Sequence, residues 1–289
     1  MKILVFGAKG YLGQQFLQIL PESIGSSADI ADQKAVKTEI EKHQPDVIIN
    51  AAGKTGRPNV DWCEDHKLET IRANVTGPLV LLDECMSRGI YSVHLSSGCI
   101  YEGDNNGVGF SETDAPNFSG SFYARTKAWS DQILKEFPVL TLRLRMPFDN
   151  TLNDRTLLAK LLKYSRVLDV QNSITYLPDF LAAASLLIGK RRTGVYNIVN
   201  PGTISPYEMM QSYKEHVDPS HTFERLTLDQ LPSVTKAGRS NCVLSGKKLQ
   251  GEGIELRQVH NAIEHAWTVI QQAQDVAHRL TLSGSSQQQ

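Results

Sequence analysis

The amino-acid sequence predicts an α/β fold, a doubly wound parallel sheet that carries a smaller, mainly helical C-terminal domain. Three features lead there. Short β-branched or aromatic runs alternate with helical stretches from residue 1 to about residue 145, the order that buries a parallel sheet between two helical layers. The first strand runs into a glycine-rich turn and then directly into a helix. Beyond Pro147 the alternation gives way to mostly helical sequence.

Residues 2–6 form the first expected strand, and the turn 7–13 (GAKGYLG) follows it. Gly7, Gly10 and Gly13, with Lys9, Tyr11 and Leu12 between them, allow backbone amides to approach a pyrophosphate, whose charge the next helix N-terminus attracts. The spacing is G-x-x-G-x-x-G rather than G-x-G-x-x-G, and a tight turn without a ligand is the alternative. Residues 14–20 continue as helix until Pro21 stops it. A second, weak strand at 23–27 offers small hydroxyl residues and no carboxylate before Asp29. NAD sites place an acid about 20 residues beyond the glycines to hold the ribose 2′-hydroxyl, so NADPH is expected instead. Lys9 then either meets the 2′-phosphate or is a solvated loop lysine.

Residues 46–50 are the next clear strand, and Asn50, Ala51, Ala52 and Gly53 at its end are small enough for a cofactor to lie against the backbone. Residues 68–86 read as one long helix, with Cys85 as core and Asn74 as a poor helix former. Strand 91–95 delivers Ser97, a helix opens near residue 119, and 139–144 is the following strand. Helices are expected at 154–164 and 179–189, a strand at 194–199 and a mostly helical cap from 205 to about 274. The expected domains are 1–147 with 173–199 (dinucleotide binding), 148–172 with 200–275 (cap), and a low-complexity, disordered tail at 276–289.

Tyr123 and Lys127 are four residues apart, one turn along one helix face. A cation beside a tyrosine favours phenolate and proton exchange near neutral pH, and Ser97 at a strand end adds a hydrogen bond to the same substrate oxygen. Y-x-x-x-K alone is also an ordinary exposed helix pair. Cys99 stands two residues after Ser97, so on extended backbone both side chains point the same way. Its thiol, with an unperturbed pKa near ~8.5, becomes a usable base if an ammonium lowers it; otherwise it is a small buried hydrophobe.

Composition narrows the classes. The 289 residues are 40% hydrophobic and 21% charged, with formal net charge −1, so neither a nucleic acid nor a membrane surface is an expected partner. No apolar run reaches the roughly 18 residues of a membrane span. Cys63, Cys85, Cys99 and Cys242 show no C-x-x-C pairing, so neither a metal site nor a disulfide framework is expected. With a strand beginning at Lys2, no leader is expected, and a reducing cytoplasm is the simplest location.

These residues resemble the extended short-chain dehydrogenase/reductases, built on a Rossmann sheet. Within that group the chain is similar to the dTDP-4-dehydrorhamnose reductase branch and its nucleotide-rhamnose synthases. The signatures are 50–64 (NAAGKTGRPNVDWCE), 98–101 (GCIY), 116–123 (PNFSGSFY), 145–147 (RMP), 172–173 (NS) and 239–241 (RSN). The resemblance implies a bifunctional 3,5-epimerase/4-reductase that uses NADPH to turn a UDP- (or dTDP-) 4-keto-6-deoxyhexose into UDP-L-rhamnose. It implies Ser97, Tyr123 and Lys127 for reduction, with Lys127 lowering the tyrosine pKa and binding the nicotinamide ribose. For epimerisation it implies Cys99 as base and Lys160, in the helix after RMP, as acid; Lys160 is otherwise a solvated lysine beside Lys163. Arg239 is the candidate for the nucleotide diphosphate, Arg57 for sugar or nucleotide, and Asn172 and Asn241 complete the expected substrate set. The rivals are a 4-reductase acting on a dTDP-sugar already epimerised, and a non-catalytic NADP-binding regulatory subunit. Oligomeric state, including a homodimer, is left open.

Overall fold

The computed structural model of the chain describes residues 1–153 and 155–285, with side chains through residue 276. The first half alternates as β1 (Ile3–Phe6), α1 (Tyr11–Ile19), β2 (Ile24–Ser26), α2 (Gln33–His43) and β3 (Val47–Asn50). Short helices α3 (Trp62–Asp65) and α4 (Lys67–Ile71) lead through a π-helical turn at Arg72–Thr76 into α5 (Gly77–Arg88), and β4 (Tyr91–Ser97), α6 (Phe122–Leu134) and β5 (Leu140–Leu144) follow. The second half comprises β6 (Pro147–Phe148), α7 (Leu157–Leu161), β7 (Arg166–Leu168), β8 (Thr175–Tyr176), α8 (Leu177–Gly189), β9 (Gly194–Asn197), α9 (Pro206–His216), β10 (Glu224–Leu226), α10 (Lys247–Gly251) and α11 (Val259–Ser285).

Six parallel strands form the main sheet in the order β2-β1-β3-β4-β5-β9. In β1, Ile3 and Val5 face the layer of α1 and α8, beside Phe16 and Phe180, whereas Leu4 and Phe6 face α2 and α5, beside Val36, Ile40 and Leu81. Burial on both faces is why this strand is apolar throughout. Cys85 lies in the second of these layers, completely buried. From β1 the chain goes outward to β2 and then back to the other side of β1 at β3, so the two glycine- and alanine-rich exits open into one crevice beyond the strand ends.

A second apolar core gathers Phe148, Leu158, Ile174, Tyr176, Met210, Tyr213, Ile263 and Trp267. It includes two small parallel pairs, β6 with β8 and β7 with β10, which the helical reading of this half does not anticipate. Each strand has only two or three residues, too few for any period-two pattern to register. The helix expected at 154–164 is confined to Leu157–Leu161, capped by Thr156, whose hydroxyl accepts from Ala159 N at 3.1 Å; Asp154 lies outside the described residues. The last helix runs to Ser285, into the tail expected to be disordered, since Ala277, Leu280 and Leu282 favour helix; residues 286–289 lie outside the described residues. No described helix is long and apolar enough to cross a membrane.

Helix α6 is fixed to the sheet by a buried ion pair. Arg143 on β5 donates from Nη2 to Asp131 Oδ2 at 2.5 Å and from Nε to Oδ1 at 3.2 Å, with the two side chains 2% and 1% exposed. The Ser96 hydroxyl on β4 donates to the same carboxylate at 2.7 Å. Removing one partner of such a pair strands a charge in the interior. Asp131→Ala should therefore lower the unfolding free energy by about 3–5 kcal/mol, measured by urea denaturation. The double change Asp131→Leu/Arg143→Met should recover most of that loss, and a loss equal to the single variant's would show that the pair acts otherwise.

Candidate active site

The glycine turn is shaped by close approaches. Gly7 has φ +77°, and a Cβ on it would stand 2.5 Å from Ala52 N and 2.7 Å from the Ala51 carbonyl carbon. A Cβ on Gly13 would stand 2.3 Å from Gly7 O. Backbone of the first turn thus lies directly on the β3 exit, where only glycine fits. Gly10 caps α1 without any side-chain hydrogen bond, so the helix's first amides are open to an anion. The half-buried Tyr11 has a phenol oxygen, itself buried, with no partner among the described residues, and Leu12 packs against the adjoining core. These features fit a dinucleotide pyrophosphate. Lys9 is exposed on the turn, and its carbonyl accepts from Arg155 Nη1 at 2.9 Å, which adds a second cation that sequence reading missed.

At the β3 exit, the Asn50 side chain serves the protein: Nδ2 donates to His94 Nδ1 at 3.1 Å, and Oδ1 accepts from Ala52 N at 3.1 Å. Burial, then the Lys127 charge, holds His94 far below the ordinary histidine range, so its ring is neutral. Asn74 sits in the π-helical turn and clamps the same loop. Its Oδ1 accepts from Lys54 N at 2.8 Å, and its Nδ2 donates to Lys54 O at 3.0 Å and to Thr126 Oγ1 at 3.2 Å. The poor helix former thus holds the loop after Gly53 to the helix that carries Tyr123.

Ser97, Cys99, Tyr123 and Lys127 converge at the C-terminal end of β4. Ser121 caps α6 by accepting from Ala124 N at 3.1 Å, and Glu64 Oε1 accepts from Phe122 N at 2.5 Å. Glu64, in the 50–64 signature but given no role from sequence, thereby sets the start of the helix and hence the place of Tyr123. Ser97 Oγ accepts from Cys99 N at 3.2 Å and shares a hydrogen bond with the Tyr123 phenol.

Two electrostatic expectations are corrected. Burial dominates at Tyr123, pushing its phenol well above the ordinary tyrosine range; the charge of Cys99 pushes the same way, whereas the Ser97 hydrogen bond and Arg145 pull it down. Lys127 is instead turned to the strand, donating to Leu95 O at 2.9 Å, and its ammonium is itself held below its ordinary value by burial. The Cys99 thiol is pushed up to about 11 by burial, although the Ser97 hydrogen bond, Arg145 and Lys127 all pull it down. Desolvation outweighs the cations there.

The expected acid Lys160 and the expected substrate-binding residues divide into two groups. Arg57 and Lys160 are both exposed, yet the Lys160 ammonium is lowered by partial desolvation first and by the Arg57 charge second. The second group is committed to the protein. Asn172 is completely buried: Oδ1 accepts from Arg145 Nη2 at 2.5 Å and from Cys242 N at 3.0 Å, and Nδ2 donates to Val170 O at 3.0 Å and Asn241 Oδ1 at 3.1 Å. That uses its full capacity, so it holds Arg145 rather than substrate. Asn241 donates to Arg239 O at 3.0 Å. Arg239 is bidentate on Asp61, Nη1 to Oδ1 at 2.8 Å and Nη2 to Oδ2 at 2.9 Å. The phosphate donor expected there is therefore already paired, and Arg57 is the more available guanidinium.

A sequence profile described as the RmlD substrate binding domain matches residues 1–272. An Arabidopsis thaliana protein called bifunctional dTDP-4-dehydrorhamnose 3,5-epimerase/dTDP-4-dehydrorhamnose reductase is 40% identical over 272 residues, 90% of each chain. A trifunctional UDP-glucose 4,6-dehydratase/UDP-4-keto-6-deoxy-D-glucose 3,5-epimerase/UDP-4-keto-L-rhamnose-reductase of the same plant is 38% identical, and the match covers 91% of this chain but 41% of that one. The crystal structure of the L780 UDP-rhamnose synthase of Acanthamoeba polyphaga mimivirus superposes with TM-score 0.89 at 32% identity, covering 93% of this chain and 99% of that one. A six-stranded dinucleotide-type sheet, a Ser-Tyr-Lys set at its rim and a family match over nearly the whole chain agree, and the protein belongs to the RmlD substrate-binding-domain family of nucleotide-sugar reductases.

Proposed function

We propose that the protein is a cytoplasmic NADPH-dependent 4-reductase and 3,5-epimerase of UDP-4-keto-6-deoxy-D-glucose, with UDP-L-rhamnose as product. The observation that carries this reading is the convergence of Ser97, Cys99, Tyr123 and Lys127 on one cleft edge, with the glycine turn of α1 at the same end of the sheet. The relatives above, by their names, act on UDP- or dTDP-linked sugars of this class.

A ketone at C4 acidifies the hydrogens on C3 and C5. As a thiolate, Cys99 takes the C3 proton, the electron pair moves into the carbonyl as an enolate, and an acid on the other face returns a proton with inversion; once exchange with solvent has restored both groups, the same sequence at C5 completes epimerisation. Lys160 suits the acid role, because its lowered ammonium gives up a proton more readily. NADPH supplies a hydride to C4 when bound. Tyr123 then gives its proton to the C4 oxygen, and Ser97 holds that oxygen in place. Arg57, beside Lys160, offers a guanidinium to the nucleotide diphosphate.

The raised thiol of Cys99 favours a second reading, a 4-reductase acting on a dTDP-sugar epimerised elsewhere. On that reading Cys99 is only a wall of the cleft.

Tyr123→Phe should bind NADPH normally and lose at least ~10²-fold in turnover, measured by the fall in NADPH absorbance; wild-type turnover would end the assigned role. Lys9→Ala should weaken NADPH more than NADH, because only NADPH carries the 2′-phosphate, and equal losses in the two KM values would return Lys9 to the solvated loop. In D₂O without cofactor, wild type should wash deuterium into C3 and C5 of UDP-4-keto-6-deoxyglucose, read by NMR. Cys99→Ser should nearly abolish that exchange yet still reduce a pre-epimerised 4-keto sugar. Undiminished exchange in Cys99→Ser would favour the reductase-only reading.

A further inference from the structure

Arg145 directly follows β5, and it is 7% exposed. Its guanidinium meets neutral groups, two oxygens and the Cys242 thiol, whose pKa it also lowers against the larger effect of burial. Nη2 donates to Asn172 Oδ1 at 2.5 Å and, in a short contact, to Ser240 O, while Nε is buried without a partner among the described residues. No carboxylate pairs with it among the described residues. Arg143, two positions earlier and within β5, has Asp131. A buried cation without a counter-ion is costly to keep, so its neighbours matter. A Cβ on Gly98 would stand 3.5 Å from Arg145 Cδ, which places the side chain over the link between Ser97 and Cys99.

We infer that Arg145 is a positioning residue whose fixed positive charge, held by Asn172 and Ser240, stabilises the anionic form of Cys99 and the negative charge that passes to the sugar's C4 oxygen. As far as it concerns the sugar, this rests on the proposed epimerase/reductase reading; as far as it concerns the thiol, it stands alone. Among the described residues, the charged or titratable groups facing Cys99 are Tyr123 and Lys127 from α6, Arg145 just after β5, and Cys242, whose thiol donates to Gly98 O at 3.1 Å. Arg145 and Lys127 are the cations of this set. Lys127 spends a hydrogen on Leu95 O, whereas Arg145 keeps an unused N–H. Asn172 and Asn241 find their purpose here: they hold Arg145 in place, and the chain from Asn241 through Arg239 to Asp61 ties it to the loop after β3.

The test is the pH dependence of Cys99 alkylation in the ligand-free enzyme, read on the Cys99 peptide by mass spectrometry. With the thiol up at about 11 in wild type, reaction should be slow at neutral pH and rise through the alkaline range. Arg145→Gln, whose amide still donates to Asn172, should move the profile up by about one unit and slow alkylation at pH 8 about tenfold. Arg145→Lys should restore most of the wild-type profile. An unchanged profile in Arg145→Gln overturns the inference and leaves the epimerase reading untouched. A shifted profile, with deuterium exchange undiminished in Cys99→Ser, supports the inference and removes the epimerase. A second measurement needs no variant. If a fixed cation stands beside the thiol, anionic iodoacetate should gain on neutral iodoacetamide at wild-type Cys99, relative to their ratio with free cysteine. No gain overturns the inference even if the variants fail to fold.

Discussion

Much of the arrangement depends on how α6 is held. The helix carries Tyr123 and Lys127, and a rotation of a few tens of degrees would carry both away from Ser97. It is fixed near each end by a carboxylate. Glu64 accepts from the first amide of the helix, and Asp131 takes both the Arg143 guanidinium and the Ser96 hydroxyl from beneath. A helix held only by apolar packing can slip among several near-equal seatings. Directional, charge-assisted bonds at two points select one.

A second constraint joins the two cores. The path from Asp61 through Arg239, Asn241 and Asn172 to Arg145 runs from the loop after β3 to the end of β5 by way of the smaller core's connections. Lys236 adds an ion pair to Asp65 along the same seam. Each partner is short and directional, so the seam between the two cores is set by hydrogen bonds. The residues of the 172–173 and 239–241 signatures thus build the site's frame, although their polar side chains read in sequence as substrate contacts.

The glycine turn shows the opposite economy, in which side chains are removed so that backbone can act. Gly7 and Gly13 permit the turn to lie on Ala51 and Ala52, and the uncapped start of α1 points its amides outward. The cation that matters there is also partly supplied from afar, since Arg155 reaches the carbonyl of Lys9 from a segment far along the chain.

By itself the sequence determined the alternating elements, the parallel sheet, the glycine turn and the Ser97, Tyr123 and Lys127 set, because each is written in short-range periodicity or in spacings of a few residues. Strand ends fell within a few residues of expectation, and Asn74 was marked by its poor fit to a helix. Tertiary structure alone decided who neutralises whom. Asn172 and Arg239 look like ligands for a substrate until their partners, 69 residues away for Asn172 and 178 for Arg239, are seen to occupy them. Cys99 looks activated by Lys127 until burial is weighed against charge. Arg145 stands in a sequence signature, yet its lack of a counter-ion among the described residues is a property of the fold. Pairing and desolvation depend on contacts between distant segments, and no local pattern of residue types encodes them.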